Sequence, residues 1–192
     1  MTLGEREIPG ADGSHFNRPT DVAILKDGSF YVSDGYRNTR VVKFSAKGKF
    51  QYEWGKKGNG PGEFNLPHGI ATDNQGRVYV CDRSNARVQI FDPMGKYISE
   101  WKDPQMGRPY GISIGINGDV FVVDGGDQPQ DFPDRGGAVR MTQSGKILDS
   151  FGSFGNYDGQ FRLAHDVAVD KNGAVYVIDT WGMRVQKFTR LN

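Results

Sequence analysis

The sequence predicts an all-β fold, a β-propeller, and three observations carry that expectation. Four related segments succeed one another at a spacing of roughly 40–50 residues, the length of a four-stranded propeller blade. Each segment reads as short β-branched and aromatic runs separated by Gly-containing turns. No stretch shows the 3.6-residue apolar period of a helix.

The repeats span 16–63, 64–106, 107–160 and 161–192, with an N-terminal segment, 1–15, before them. A first strand alternates apolar and polar residues, as at Val22 and Ile24 or Val167 and Val169. A tight turn follows in "KDGS", "NQGR", "INGD" or "KNGA", where glycine supplies the positive φ a short hairpin needs. The second strand, "FYVSD", "VYVCD", "VFVVD" or "VYVID", ends in Asp34, Asp82, Asp124 or Asp179. The third is "RVVKF", "RVQIF", "AVRM" or "RVQKF". A fourth strand closes the first three repeats, with Trp54, Trp101 or Phe151 near its end. Three of the aspartates precede Arg40, Arg87 and Arg184 at nearly constant spacing, which predicts a repeated structural ion pair. Cys81, on a strand beside Asp82, reads as a small core residue.

Composition narrows the function classes. The 24 Lys and Arg are balanced by 23 Asp and Glu, so no broad basic face is expected, and neither nucleic acid nor membrane is an expected partner. No apolar run reaches the roughly 18–20 residues of a membrane-spanning helix. The opening "MTLGEREIPGADGSHF" lacks a signal-peptide apolar region, so the chain reads as soluble, with its compartment unassigned. A single cysteine rules out an internal disulfide. The glycine-rich "GKKGNGPGEF" (55–64) joins two repeats rather than opening a helix, which argues against a phosphate cradle. The insertion "GGDQPQDFPDRGG" (125–137), with Asp127, Asp131 and Asp134, is either a solvent-exposed loop or a contact at the channel mouth.

The start of each first strand is the position to watch, because in a propeller it points toward the central channel. Thr20, His68, Tyr110 and His165 occupy it, with histidine in alternate repeats. In a six-bladed ring alternate blades lie ~120° apart, and imidazoles so placed aim at one point on the axis. Three of them can hold zinc and leave a position open. The plainer reading, that each imidazole bonds a neighbouring strand, stands beside it.

The pattern Pro-x-φ … Gly-x-φ-Tyr-Val-x-Asp … Asn-x-Arg-φ-x-x-Phe … Gly-Lys resembles the NHL repeat over residues 16–192. The segments around "DGYRNTR", "LPHG" and "LAHD" further resemble the peptidyl-α-hydroxyglycine α-amidating lyases, also called peptidylamidoglycolate lyases. That resemblance implies a zinc-dependent lyase acting on a peptide-like small substrate, cleaving peptidyl-α-hydroxyglycine to an amidated peptide and glyoxylate. It implies Tyr36 as the catalytic tyrosine acting on the substrate hydroxyl, His68 and His165 as zinc ligands, and Asp166 as a calcium ligand. Outside that motif, Tyr36 reads equally as an aromatic packing over a blade-top loop.

The chain also departs from the pattern. The family's third zinc histidine and an assisting arginine lie in blades preceding the first repeat here. Leu163 stands where a methionine is common, and Asn17, Arg37, Tyr79 and Ile90 fill the cystine positions of animal members. The alternative function is a non-catalytic NHL propeller serving as a protein- or ligand-binding scaffold. Rings of this repeat commonly have six blades, so four either close by themselves, pair with a second chain, or belong to a larger propeller; the favoured expectation is an incomplete arc whose open ends self-associate into a homo-oligomer. The last repeat lacks a fourth strand, and "MTLGEREI" is a candidate ring-closing strand for it.

Overall fold

A computed structural model describes residues 1–126 and 135–190. The aspartates singled out at 127, 131 and 134 lie outside the described residues. The chain divides into two compact units, Met1–Glu100 and Trp101–Asn192.

The first unit is built from two antiparallel sheets. The first runs in order through β1 (Asp21–Ile24), β2 (Phe30–Asp34), β3 (Arg40–Phe44) and β4 (Phe50–Trp54). The second runs β5 (Pro67–Thr72), β6 (Val78–Asp82), β7 (Arg87–Phe91) and β8 (Tyr97–Trp101), with a 3-10 turn at Arg83–Asn85 and the unit boundary inside β8. The turn glycines do what the sequence asks of them: Gly28 and Gly76 have φ of 81° and 80°. Ala23, Tyr31 and Val41 of the first sheet bury against Ile70, Val78, Val80 and Phe91 of the second. On the opposite face of the first sheet, Val32, Val42 and Phe44 gather Leu3, Phe16 and Phe30.

Facing direction in β1 follows from this packing. Val22 and Ile24 are 50% and 69% exposed, while the small Ala23 is buried. The second sheet covers the Ala23 face, and the Val22 face has no sheet against it within this unit.

The second unit carries β9 (Pro109–Ile114), β10 (Val120–Asp124), β11 (Gly137–Met141) and β12 (Ile147–Phe151) as one antiparallel sheet. A short parallel pair, β13 (Ser153–Phe154) and β14 (Gln160–Phe161), leads to a three-stranded sheet of β15 (Ala164–Val169), β16 (Val175–Asp179) and β17 (Arg184–Phe188). Tyr110, Phe121, Val123 and Ala138 meet Phe161, Val167, Val175 and Val177 in its core.

The expected ion pairs are present, each on a fully buried aspartate. Asp34 receives Arg40 Nε at 3.0 Å, Asp82 receives Arg87 Nε at 2.7 Å, and Asp179 receives Arg184 Nε at 3.3 Å. The other carboxylate oxygen accepts the backbone N–H of Asn17, Asn65 or Arg162. Each guanidinium then donates to carbonyls of the connection leading into its own sheet: Asp12 and His15, or Asn59, Gly60 and Glu63, or Asn156, Tyr157 and Gln160. A buried charge is tolerable only when paired and hydrogen-bonded, and this arrangement supplies both while fixing the connection. Asp124 finds Arg135 instead, at 2.9 Å, because "GAVRM" carries no arginine at the start of its strand.

Residues 1–15, the candidate ring-closing strand, contain one isolated bridge, Glu5↔Ile8. They lie along the first sheet, where Asn38 Nδ2 donates to Gly10 O at 2.8 Å and Met1 and Leu3 sit over Gly48.

Candidate functional site

Tyr36 and His68 are brought together in the first unit. The Tyr36 hydroxyl and His68 Nε2 are 3.0 Å apart, and the two rings meet edge-on with centroids 5.4 Å apart. His68 is 2% exposed, whereas Tyr36 is 41% exposed, so the pair joins a buried imidazole to a phenol that reaches solvent.

The local sequence explains the meeting. Asp34 ends β2, and Gly35 then passes so close to Pro67 O that no Cβ could be accommodated there. This close approach, open only to glycine, sets Tyr36 over the start of β5. Tyr36 N–H donates to Arg18 O at 3.3 Å, which fixes the loop from the other side. On the histidine side, Ser33 Oγ donates to His68 O at 2.7 Å and Thr20 Oγ1 donates to Pro67 O at 2.9 Å. Thr20 therefore serves the scaffold at the position where the second and fourth repeats carry histidine.

Sequence reasoning passed over Ser33, Gly35 and Arg83. Ser33 is fully buried and holds the histidine backbone. Arg83 follows Asp82 directly, and its N–H donates to Leu66 O, two residues before His68. The signal for Ser33 was its polarity inside the β-branched "FYVSD"; for Arg83 it was its place directly after the strand-ending aspartate.

In the second unit His165 is half-buried and meets the Tyr110 ring edge-on, with centroids 5.5 Å apart. Tyr110 is itself 2% exposed, packed against Gly125. Asp166 Oδ1 accepts the N–H of Val167 at 2.8 Å and lies against Gly111. Burial raises the Asp166 carboxyl above its ordinary value, and the Val167 N–H and the neighbouring His165 oppose that rise only in part. Among the described residues no group of three or more His, Cys, Asp or Glu is gathered where it could hold a metal ion.

Comparison with known proteins adds relations of three kinds: to a repeat model, to relatives in sequence and to a solved structure. The NHL repeat model matches residues 16–44, 64–91 and 161–188. The chain is 36% identical over 98% of its length to a mouse peptidyl-glycine alpha-amidating monooxygenase and 31% identical over 98% to peptidyl-alpha-hydroxyglycine alpha-amidating lyase 1 of Drosophila melanogaster. It is 30% identical over 96% of its length to human NHL repeat-containing protein 3. It spans 20%, 38% and 54% of these relatives' own lengths. Among solved structures, the WD40 beta propeller domain of Doa1 superposes with a TM-score of 0.65 at 14% identity, over 92% of this chain and 52% of that one. The likeness shows the fold: an all-β propeller architecture built from NHL repeats.

Proposed function

From a chain that carries NHL repeats and is homologous to the peptidyl-α-hydroxyglycine α-amidating lyases, we propose a zinc-dependent lyase acting on peptidyl-α-hydroxyglycine. The observation that carries the reading is the Tyr36–His68 pair, 3.0 Å apart at the two positions the lyase motif marks.

The donor chemistry suits the metal: neutral imidazoles are ordinary zinc ligands, and His68 offers one from a buried position beside a phenol. His68 and His165 are the proposed zinc ligands, and the half-buried carboxylate of Asp166 is the proposed calcium ligand. Zinc, when bound, acidifies the hydroxyl of a coordinated substrate. The remaining work falls to the chain. His68 Nε2, placed against the phenol, orients the Tyr36 hydroxyl. Acting as the phenolate, Tyr36 takes the α-hydroxyl proton on its phenolic oxygen. The hydroxyl oxygen's electrons form the carbonyl of glyoxylate, the C–N bond breaks, and the proton held by Tyr36 passes to the departing amide nitrogen, which returns Tyr36 to the phenolate. Ser33 and Gly35 keep the pair in register by holding His68 O and the Tyr36 loop.

A second reading, a non-catalytic NHL scaffold that binds protein or another ligand, draws on the similarity to NHL repeat-containing protein 3. It draws also on the lack, among the described residues, of a gathered three-ligand cluster. Metal content separates the two. The lyase reading expects about one zinc per chain, a lower content in His68→Ala, and loss of glyoxylate release on chelation. Full retention of peptide binding with no zinc uptake would favour the scaffold.

A further inference from the structure

The sheet of β9 to β12 breaks the clamp that the first two sheets share. In those sheets a buried aspartate ending the second strand holds the third-strand arginine, and a fourth-strand glutamate meets that arginine's Nη1: Asp34, Arg40 and Glu53, then Asp82, Arg87 and Glu100. In the third sheet the register sets Gly137 opposite Asp124, where Arg40 stands opposite Asp34. It sets Ser150 opposite Val139, where Glu53 stands opposite Val42. The connection is shortened as well, since residues 102–106 enter this sheet where 55–64 enter the second. Crowding does not require the glycine: a Cβ at Gly137 would meet nothing nearer than Phe151 O at 3.5 Å, an ordinary contact. A strand glycine that neither crowding nor a positive φ demands is a place where a ligand can come close.

The space so vacated is a cavity of about 430 Å³, within the range of small-molecule sites. Met106, Val122 and Val139 give it an apolar wall, and Arg135, Ser150 and Ser153 bring polar groups to it. Arg135 restores part of the clamp from outside the strand. Its Nε donates to Asp124 Oδ2 at 2.9 Å and its Nη2 to Pro104 O at 2.7 Å. The other Asp124 oxygen accepts the N–H groups of Arg108 and Gly126, so both oxygens of that carboxylate are engaged. Among the described residues no carboxylate meets Arg135 Nη1, the nitrogen that takes glutamate in the first two sheets. The Arg135 side chain is 33% exposed, so a ligand can reach it.

We propose that this cavity binds a carboxylate carried on a short aliphatic body. The carboxylate bonds Arg135 Nη1 and the Ser150 hydroxyl, in the place of the glutamate that the first two sheets supply for themselves. The aliphatic carbons lie against Met106, Val122 and Val139, over the strand position where the other sheets carry an arginine stem. A guanidinium–carboxylate hydrogen bond is among the stronger polar contacts, and the apolar wall selects for the body behind it. A free organic acid and the acidic side chain of a peptide both present this group. The site lies wholly in the second unit and does not rest on the lyase reading.

The test is an NMR titration of the full 192-residue chain with butyrate, and with butyramide as the uncharged body of the same shape. Butyrate should shift the N–H signals of Gly136, Gly137 and Ser150 saturably in the millimolar range, and butyramide should not. Ser150→Glu, at an exposed position, supplies the carboxylate from the chain itself and should weaken butyrate binding by about ten-fold or more, the worth of one hydrogen bond to a charged group. A blocked alanine–glutamate–alanine peptide, with its glutamine counterpart as control, separates the two sources. Tighter binding of the glutamate peptide than of butyrate assigns an acidic side chain, and the reverse a free acid. Equal shifts from butyrate and butyramide, or undiminished butyrate binding by Ser150→Glu, would overturn the proposal.

Discussion

At position 35 a side chain would collide with the carbonyl oxygen of Pro67, one residue before His68. Gly35→Ala is therefore expected to push the Tyr36 loop away from His68 and to destabilise the first unit by roughly 1–3 kcal/mol, the usual cost of overpacking. Equilibrium urea unfolding reads that loss. A second residue-scale prediction concerns His15. Its pKa is raised above the ordinary 6.5, first by its hydrogen bond to Asp12, at 2.9 Å; desolvation is the next influence and opposes the rise, while the charge of Asp12 and the contact with Glu5 add to it. A histidine whose pKa is higher folded than unfolded contributes stability fully below its unfolded value and loses that contribution as pH rises through the folded value. The hold of the N-terminal segment on the first sheet should accordingly weaken as pH rises past that raised value. NMR titration of His15 should show a midpoint above 6.5 that falls in Asp12→Asn.

At the scale of elements, the Asp–Arg pair is the part that joins each strand set to the connection entering it. Arg87 is 1% exposed and donates to Asp82, Glu100 and three carbonyls. Arg87→Ala leaves the buried Asp82 carboxylate without its guanidinium, and a loss of about 3–5 kcal/mol is expected in chemical unfolding. These pairs were legible from spacing alone, as were the hairpins, since Asp-Gly and Asn-Gly turns encode their own backbone geometry. The buried side of β1 was not legible. "DVAI" offers apolar residues to both faces, and the choice is made by the neighbouring sheet that covers Ala23. The connection at residues 7–16, whose Gly10 N–H to Phe16 O bond repeats those of Gly58 to Phe64 and Gly155 to Phe161, was hidden for a related reason. Glu7 occupies the left-handed position that Gly55 and Gly152 mark in the other two connections, so the sequence offered only a candidate closing strand there. Of the site, Tyr36 and His68 could be named from motifs. Their 3.0 Å approach could not, because it depends on Gly35 passing beside a residue thirty-two positions further along the chain.

At the scale of the whole molecule, repetition supplies both the architecture and the room for chemistry. Four sheets share one grammar, and the variation sits where each first strand begins: threonine bonds the scaffold, tyrosine packs, and histidine meets a tyrosine. Strands buried on repeated contacts tolerate exchange at that one position, so a reactive group can be placed there without rebuilding the core. The central claim is that Tyr36, set against His68, moves the substrate proton. Glyoxylate release from a peptidyl-α-hydroxyglycine, compared between the zinc-supplied chain and its Tyr36→Phe variant, tests it most directly. Phenylalanine keeps the ring and removes only the hydroxyl, so folding and metal content should stay unchanged while the rate falls by about 10²–10⁴-fold. Equal rates from the two proteins, or no glyoxylate from either, would contradict the account.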